Sequence, residues 1–208
     1  MTLEEYILTH SDEEGELLAA LNRDANVNLL RPRMLSGHLQ GKILKMFCRM
    51  LSPMHVLEIG TYTGYATLCL AEGMPEGGRV DTIEINDEME DFIRNYLDQS
   101  PFGERICLHI GDAMEIIPGL PDMYDLVFID ADKRLYADYY DLVFPRVRKG
   151  GVILADNTLW DGKVVEEVAS SDKQTQGILA FNAKIKNDDR VEKVILPLRD
   201  GLTIIWKK

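Results

Sequence analysis

Apolar residues along this chain follow two rhythms. From Ser36 to Leu51 they recur every three or four positions, at Leu39, Ile43, Phe47 and Met50. That spacing predicts one amphipathic helix, and Pro53 follows its end. The first 30 residues repeat the rhythm in shorter pieces, at Tyr6, Ile7, Leu8 and at Leu17, Leu18, Leu21, and read as short helices. Beyond Pro53 the pattern changes. Short apolar runs predict buried strands at His55–Ile59, Val80–Ile85, Ile106–Ile110, Leu126–Ile129 and Val152–Ala155, the last preceded by Gly150-Gly151. Helical stretches at Tyr65–Glu72, Asp87–Asp98 (Asp87 near its N-cap), Ala113–Ile117, Tyr136–Val147 and Gln174–Lys186 lie between or after them. Val191–Leu198 and Leu202–Trp206 are two closing strands around a turn containing Asp200-Gly201.

Strand–helix alternation implies a mostly parallel sheet covered by helices on both faces. The two closing strands, joined by a tight turn, must be antiparallel to each other. The expected architecture is therefore α/β, doubly wound, with an antiparallel C-terminal hairpin. Ligands in such sheets bind beyond the carboxyl ends of the strands. The residues just after each strand are the ones to read for chemistry.

Length and composition refine this picture. A chain of 208 residues, 46% hydrophobic and 28% charged, suits one globular domain with a substantial core. The formal charge of −12, with lysines and arginines scattered among acids, argues against tight binding of a phosphate backbone, although a local basic patch is compatible with an acidic total. Cys48, Cys69 and Cys107 are far apart, form no CxxC or Cys/His spacing that would suggest zinc, and read as inert buried thiols of a reducing cytoplasm. The N-terminus lacks the basic and apolar regions of a signal peptide, and no uncharged apolar run reaches membrane-spanning length. His10, His38, His55 and His109 show no metal-ligand spacing and read as structural or solvated. Met34, Met46, Met50, Met54 and Met74 read as core filling.

The strand ends carry the candidate chemistry. The first is followed by Glu58-Ile59-Gly60-Thr61-Tyr62-Thr63-Gly64-Tyr65. Its glycines let backbone approach a ligand, but Tyr62 and Tyr65 occupy two glycine positions of the dinucleotide fingerprint. A plain strand–helix turn needs glycine too. Glu84 ends the second strand, where a carboxylate can accept from both hydroxyls of a ribose or simply be solvated. Asp112 follows the third strand and reads first as a helix cap. Asp130 follows the fourth, and Asp156-Asn157 the fifth. Close carboxylates repel, so acids at neighbouring strand ends suggest a hard cation such as Mg²⁺, Ca²⁺ or Mn²⁺; capping of the following helices is the competing account. Lys133, beside such a site, could supply a neutral amine as a base, or be an ordinary surface lysine.

These residues carry a family likeness. From about Met34 to the end, the chain resembles the cation-dependent class I O-methyltransferases, which include caffeoyl-CoA and catechol O-methyltransferases and small bacterial relatives. The likeness is strongest at Glu58–Tyr65, at Phe128-Ile129-Asp130-Ala131-Asp132-Lys133, at Asp156-Asn157-Thr158-Leu159-Trp160-Asp161-Gly162 and at Asp200-Gly201-Leu202-Thr203-Ile204. It implies a Rossmann-like seven-stranded sheet in a single methyltransferase domain over 1–208, residues 1–33 being a helical segment that serves substrate or dimer contacts. It implies S-adenosylmethionine bound by Met34, Ser36, Glu58, Gly60, Thr61, Tyr62, Gly64, Glu84, Asp112, Ala113, Asp130 and Asp132. A divalent cation, Mg²⁺ first and Ca²⁺ or Mn²⁺ next, would be held by Asp130, Asp156 and Asn157. Lys133 would be the general base, with Asp130, and Trp160 and Asp161 would join both on the substrate side. A homodimer is expected. Two departures from the plant enzymes stand out: Ala66 replaces a serine near the methionine carboxylate, and Asp161 replaces an asparagine near the substrate.

The chemistry implied is methyl transfer to an acceptor oxygen. A phenol has a pKa of about 10, so a cation that binds both oxygens of a vicinal diol would stabilise the oxyanion. The expected acceptor is a small catechol-like phenol. The nearest alternative is a hydroxylated uridine in transfer RNA, for which Arg31, Arg33, Lys133, Arg134 and Lys163 are the candidate basic residues. A nicotinamide-dependent oxidoreductase and a non-catalytic nucleoside-binding module are the alternatives of other classes.

Overall fold

The computed structural model describes residues 1–120 and 123–208. Its strands are β1 (His55–Ile59), β2 (Arg79–Glu84), β3 (Ile106–Ile110), β4 (Tyr124–Ile129), β5 (Val147–Ala155), β6 (Val191–Leu196) and β7 (Leu202–Lys207). They form one seven-stranded sheet in the order β3-β2-β1-β4-β5-β7-β6. The first five strands pair in parallel, and β7 runs antiparallel to both β5 and β6. The helices are α1 (Leu3–Thr9), α2 (Glu16–Asn28), α3 (Gly37–Leu51), α4 (Tyr65–Gly73), α5 (Glu90–Gln99), α6 (Ala113–Ile116), α7 (Tyr136–Val143) and α8 (Lys173–Lys186).

The parallel strands are apolar on both faces because each face is covered. Val56, Val80, Leu126, Phe128, Val152 and Leu154 pack against Leu44 and Cys48 of α3 and Ala66, Leu70 and Ala71 of α4. Leu57, Ile59, Ile83, Val127, Ile129 and Ile153 meet Tyr136, Tyr139, Tyr140, Ile178, Phe181 and Ile185 of α7 and α8 on the other side. Each of the buried Val, Leu, Ile and Phe side chains contributes roughly 1.5–3 kcal/mol by leaving water. Leu21 and Ala25 of α2 join Tyr65, Leu68, Ile93 and Tyr96, which ties the N-terminal helices to α4 and α5. Among the described residues, no helix is long and apolar enough to cross a membrane.

Several boundaries differ from the sequence reading, each for a local reason. The helix expected to run to Val147 stops at Val143 and tightens into a 3₁₀ turn at Phe144–Arg146, because Pro145 has no N–H to continue it. Strand β5 therefore begins at Val147, and Gly150-Gly151 lie inside it rather than before it. Gly150 has φ +77° where the pairing with β4 shifts register, a bulge that glycine tolerates. Strand β6 ends at Leu196, before Pro197. Asn86, not Asp87, caps the turn ahead of α5 by accepting from the Glu88 N–H. The methionines are mostly not core: Met34, Met46, Met50 and Met54 are 43–68% exposed, and of the five only Met74 is buried. Cys107 is half-buried, unlike Cys48 and Cys69.

Candidate functional site

Strand order reverses between β1 and β4, and there the backbone ladder continues one residue beyond each strand. Gly60 N–H donates to Ile83 O at 3.0 Å, Gly111 N–H to Glu84 O at 2.8 Å, Asp130 N–H to Ile59 O at 2.9 Å and Asp156 N–H to Ile129 O at 3.0 Å. These bonds draw four strand-end loops together around a cavity of about 740 Å³. Gly60, at φ +100°, is the tightest point: a Cβ there would stand 2.2 Å from the Asp130 carbonyl oxygen. Only glycine lets the two loops touch.

Glu84 organises the first loop. Its buried carboxylate accepts from the Tyr62 N–H at 2.7 Å and the Asn86 N–H at 2.9 Å. This holds Tyr62 at φ +51° and disposes of the solvated-acid alternative. Behind the loop, Glu58 is fully buried and accepts from Thr82 Oγ1 at 2.6 Å and from Thr67. Among the described residues, its other oxygen has no partner. Burial, reinforced by the Asp130 and Glu84 carboxylates and opposed by the two hydroxyls, pushes the Glu58 carboxyl up to about 8.

Asp130 and Asp156 stand at the ends of adjacent strands in the cavity wall. Neither caps a helix. The caps are Asp132, whose carboxylate accepts from the Arg134 N–H at 3.0 Å, and Asp112, which accepts from the Met114 N–H at 2.8 Å. Burial and the neighbouring Asp130 carboxylate push the Asp156 carboxyl above the ordinary range, against donation from Gln40. Lys133 is buried, not a surface lysine. Its Nζ donates to Asp130 Oδ1 at 2.8 Å and to Tyr136 Oη at 2.7 Å, and Tyr136 in turn donates to the Asp156 carbonyl at 3.0 Å. Asp130, Asp156 and Asn157, whose backbone is left-handed at φ +56°, present an all-oxygen donor set with two carboxylates under mutual repulsion. That chemistry fits a hard divalent cation.

Met34, Ser36, Gly60, Thr61, Tyr62, Glu84, Ala113, Asp130, Asp132, Lys133, Asp156, Asn157 and Trp160 all line the cavity. Glu58, Gly64, Asp112 and Asp161 do not. Glu58 lies beneath the first loop, Gly64 backs onto Leu97 and Ile93, Asp112 is spent on its cap, and exposed Asp161 donates its N–H to Asp200. Sequence reasoning missed Arg199, Gln174 and Tyr139, which also face the cavity, and Gln40 and Tyr136 just behind it. Of the five basic residues considered for a nucleic-acid patch, Lys133, Arg134 and Lys163 are each held by an acid (Asp130, Asp132 and Asp172), while Arg31 and Arg33 line the cavity mouth. The structure also gathers Asp81, Cys107 and His109 within 4.8 Å, a grouping the sequence spacing hid. Arg79 and His109 both already engage Asp81 Oδ1, at 2.7 and 2.9 Å.

The fold is a doubly wound α/β sheet with a cavity at its strand ends, and comparison with known proteins gives the class. The family model described as O-methyltransferase matches residues 8–208. The chain is 33% identical over 97% of its length to "Probable caffeoyl-CoA O-methyltransferase 2" of Dictyostelium discoideum, covering 90% of that protein. It is 32% identical to the "Catechol O-methyltransferase" of Niastella koreensis over 89% of this chain and 85% of that one. The solved Bacillus cereus O-methyltransferase in complex with SAH superposes with a TM-score of 0.90 at 27% identity, covering 99% and 97% of the two chains. TomG from Streptomyces achromogenes, an O-methyltransferase solved with SAM, gives 0.92 at 25% identity with full coverage of both chains. The chain belongs to this family of S-adenosylmethionine-dependent O-methyltransferases. The oxidoreductase and non-catalytic alternatives fall away.

Proposed function

We propose that this chain methylates one oxygen of a small catechol-like phenol, with S-adenosylmethionine as donor and a divalent cation at Asp130, Asp156 and Asn157. The observation that carries the reading is the pair of strand-end carboxylates, neither used as a cap, with the buried Lys133 Nζ 2.8 Å from Asp130 in the wall of the same cavity.

S-adenosylmethionine, when bound, supplies an electrophilic methyl group. Gly60, Thr61 and Tyr62 offer it backbone at close approach. Glu84 has lone pairs left for the ribose hydroxyls after its two backbone bonds. Ala113 would hold the adenine side, Met34 and Ser36 would cover the cofactor, and Asp132 would hold its amino-acid end; all four line the cavity. Glu58, Gly64 and Asp112 support these contacts from behind the wall. A cation at the three oxygen ligands, Mg²⁺ or alternatively Ca²⁺ or Mn²⁺, supplies the positive charge that favours a phenolate and two adjacent acceptor oxygens.

The remaining steps belong to the chain's own side chains. Lys133 takes the acceptor hydroxyl proton at Nζ. Asp130 and Tyr136 fix that nitrogen in place. Trp160 shields the acceptor side from water, and Asp161, next to it in the chain and exposed, tunes which acceptor is taken. The free cysteines suit a cytoplasmic setting. Exposed Val194, Ile195 and Trp206 on the β6/β7 edge, together with residues 1–33, are the surfaces offered for a homodimer. The test is transfer of labelled methyl to a panel of catechols and, separately, to undermodified transfer RNA, each with Mg²⁺ and with chelator. Metal-dependent label on a catechol supports the reading. Label on the RNA alone overturns the acceptor class, and equal transfer in chelator overturns the cation.

A further inference from the structure

Gln40 is a polar side chain in the wrong place for a helix buried against a sheet. It sits on α3, 1% exposed, and its Nε2 donates to Asp156 Oδ2 at 2.7 Å. Its Oε1 accepts from Arg199 Nη1 at 2.8 Å. Arg199 comes from the turn between β6 and β7, where it adopts a left-handed φ of +48°. The same Nη1 also donates to the Leu35 carbonyl at 3.3 Å and to the Ser36 carbonyl.

The order of donors and acceptors in this chain is forced. A guanidinium only donates, so the amide oxygen of Gln40 must face Arg199, and the amide NH₂ must therefore face Asp156. A carboxylate facing a fixed donor is held in one rotamer, with lone pairs left for a ligand. Arg199 thus sets the orientation of Gln40, and Gln40 sets the orientation of Asp156. The arrangement also joins two parts of the site. Leu35 and Ser36 border the cavity on the side expected to cover the cofactor, and Asp156 borders it on the cation side.

We infer that Arg199 and Gln40 are positioning residues that preset the Asp156 carboxylate for a divalent cation and tie its rotamer to the Leu35-Ser36 segment. The inference rests on Asp156 being a cation ligand, as proposed above. Neither residue touches the reacting atoms. Partners of this kind typically cost about 10–100-fold in metal affinity when removed. The substitution Gln40→Leu keeps the volume and removes the donor, and Arg199→Met removes the guanidinium. Arg199→Lys keeps a donor-only group and so keeps the orientation of the amide.

The test is Mn²⁺ binding to the full chain by calorimetry, without cofactor or acceptor, alongside binding of S-adenosylhomocysteine and thermal unfolding. Gln40→Leu and Arg199→Met should each weaken Mn²⁺ about 10–100-fold, and Gln40→Leu should leave S-adenosylhomocysteine binding unchanged while lowering the unfolding midpoint, since Asp156 and Arg199 each lose a buried partner. Arg199→Lys should restore most of the Mn²⁺ affinity. The double variant should be no weaker than the weaker single, since both act through one carboxylate. Asp156→Asn separates the two claims. If it loses Mn²⁺ while Gln40→Leu and Arg199→Met bind it as the parent does, the positioning role is wrong and the cation site stands. If Asp156→Asn binds Mn²⁺ as the parent does, the cation site is wrong and the positioning role falls with it.

Discussion

The effect of Glu58→Gln on stability should reverse sign with pH. In the folded chain the carboxyl is fully buried, lies near the Asp130 and Glu84 carboxylates, and is pushed up to about 8 from 4.5. A carboxyl with a raised folded pKa keeps more protons in the native state. Its contribution to stability is therefore intact below pH 4.5, falls between pH 4.5 and about 8, and is flat above that. At ~1.4 kcal/mol per pH unit, that interval amounts to a total on the order of 5 kcal/mol. The amide introduced by Glu58→Gln would still accept from Thr67 and Thr82 through its oxygen. Its NH₂ would take the place of the oxygen that has no partner, at a cost of roughly 1–3 kcal/mol at every pH. The variant should thus be the less stable protein at pH 5 and the more stable one at pH 9, by about 2–4 kcal/mol. Urea unfolding of both proteins across that range is the assay, and other titrating groups cancel in the difference. A stability difference that stays constant with pH would refute the burial argument.

Other perturbations follow from the same geometry. Gly60→Ala places a Cβ against the Asp130 carbonyl and should lower stability by more than ~3 kcal/mol, read by urea unfolding. A parent-like midpoint would mean the loops separate easily. Lys133→Met should reduce the rate of methyl transfer by about 10²–10⁴ while S-adenosylhomocysteine still binds. Lys133→Arg should not rescue it, because a guanidinium does not give up its proton; a rescued rate would exclude the base role. Asp188 is held well below the carboxylate range by Arg190, with Tyr140 Oη donating at 2.8 Å. A depressed folded pKa contributes stability above the unfolded value and loses it as pH falls. Asp188→Asn should therefore lower the unfolding temperature at neutral pH, and the gap should begin to narrow only as pH falls below about 4.

The part of the fold that is legible in the sequence is the part set by local rules. Buried parallel strands must be continuous apolar runs, so β1 to β3 show at their ends almost residue for residue, and the acids after β4 and β5 stand out against them. The insertion of β7 between β5 and β6 shows less, because a closing hairpin fixes only the pairing within itself. The bulge at Gly150 reads as a turn from composition alone. The methionines of α3 fit a helical period but lie on its outer side, since Leu44 and Cys48 take the face toward the sheet. In the site, strand-end residues such as Glu84, Asp130 and Asp156 are visible because topology sends them to one place. Arg199 is 159 residues from Gln40, and neither follows a parallel strand. The buried face of α3 runs through Gln40, Gly41, Leu44 and Cys48 rather than the apolar positions Leu39, Ile43, Phe47 and Met50, so the sequence period does not show that Gln40 is buried.

The central claim is methyl transfer that depends on a cation at Asp156. The most direct measurement is transfer of labelled methyl to a catechol by the parent chain and by Asp156→Asn, each with Mg²⁺ and with chelator, with S-adenosylhomocysteine binding measured on both. The expected result is turnover by the parent in Mg²⁺ only, none by Asp156→Asn in either condition, and cofactor binding by both. Full turnover by Asp156→Asn in chelator would contradict it.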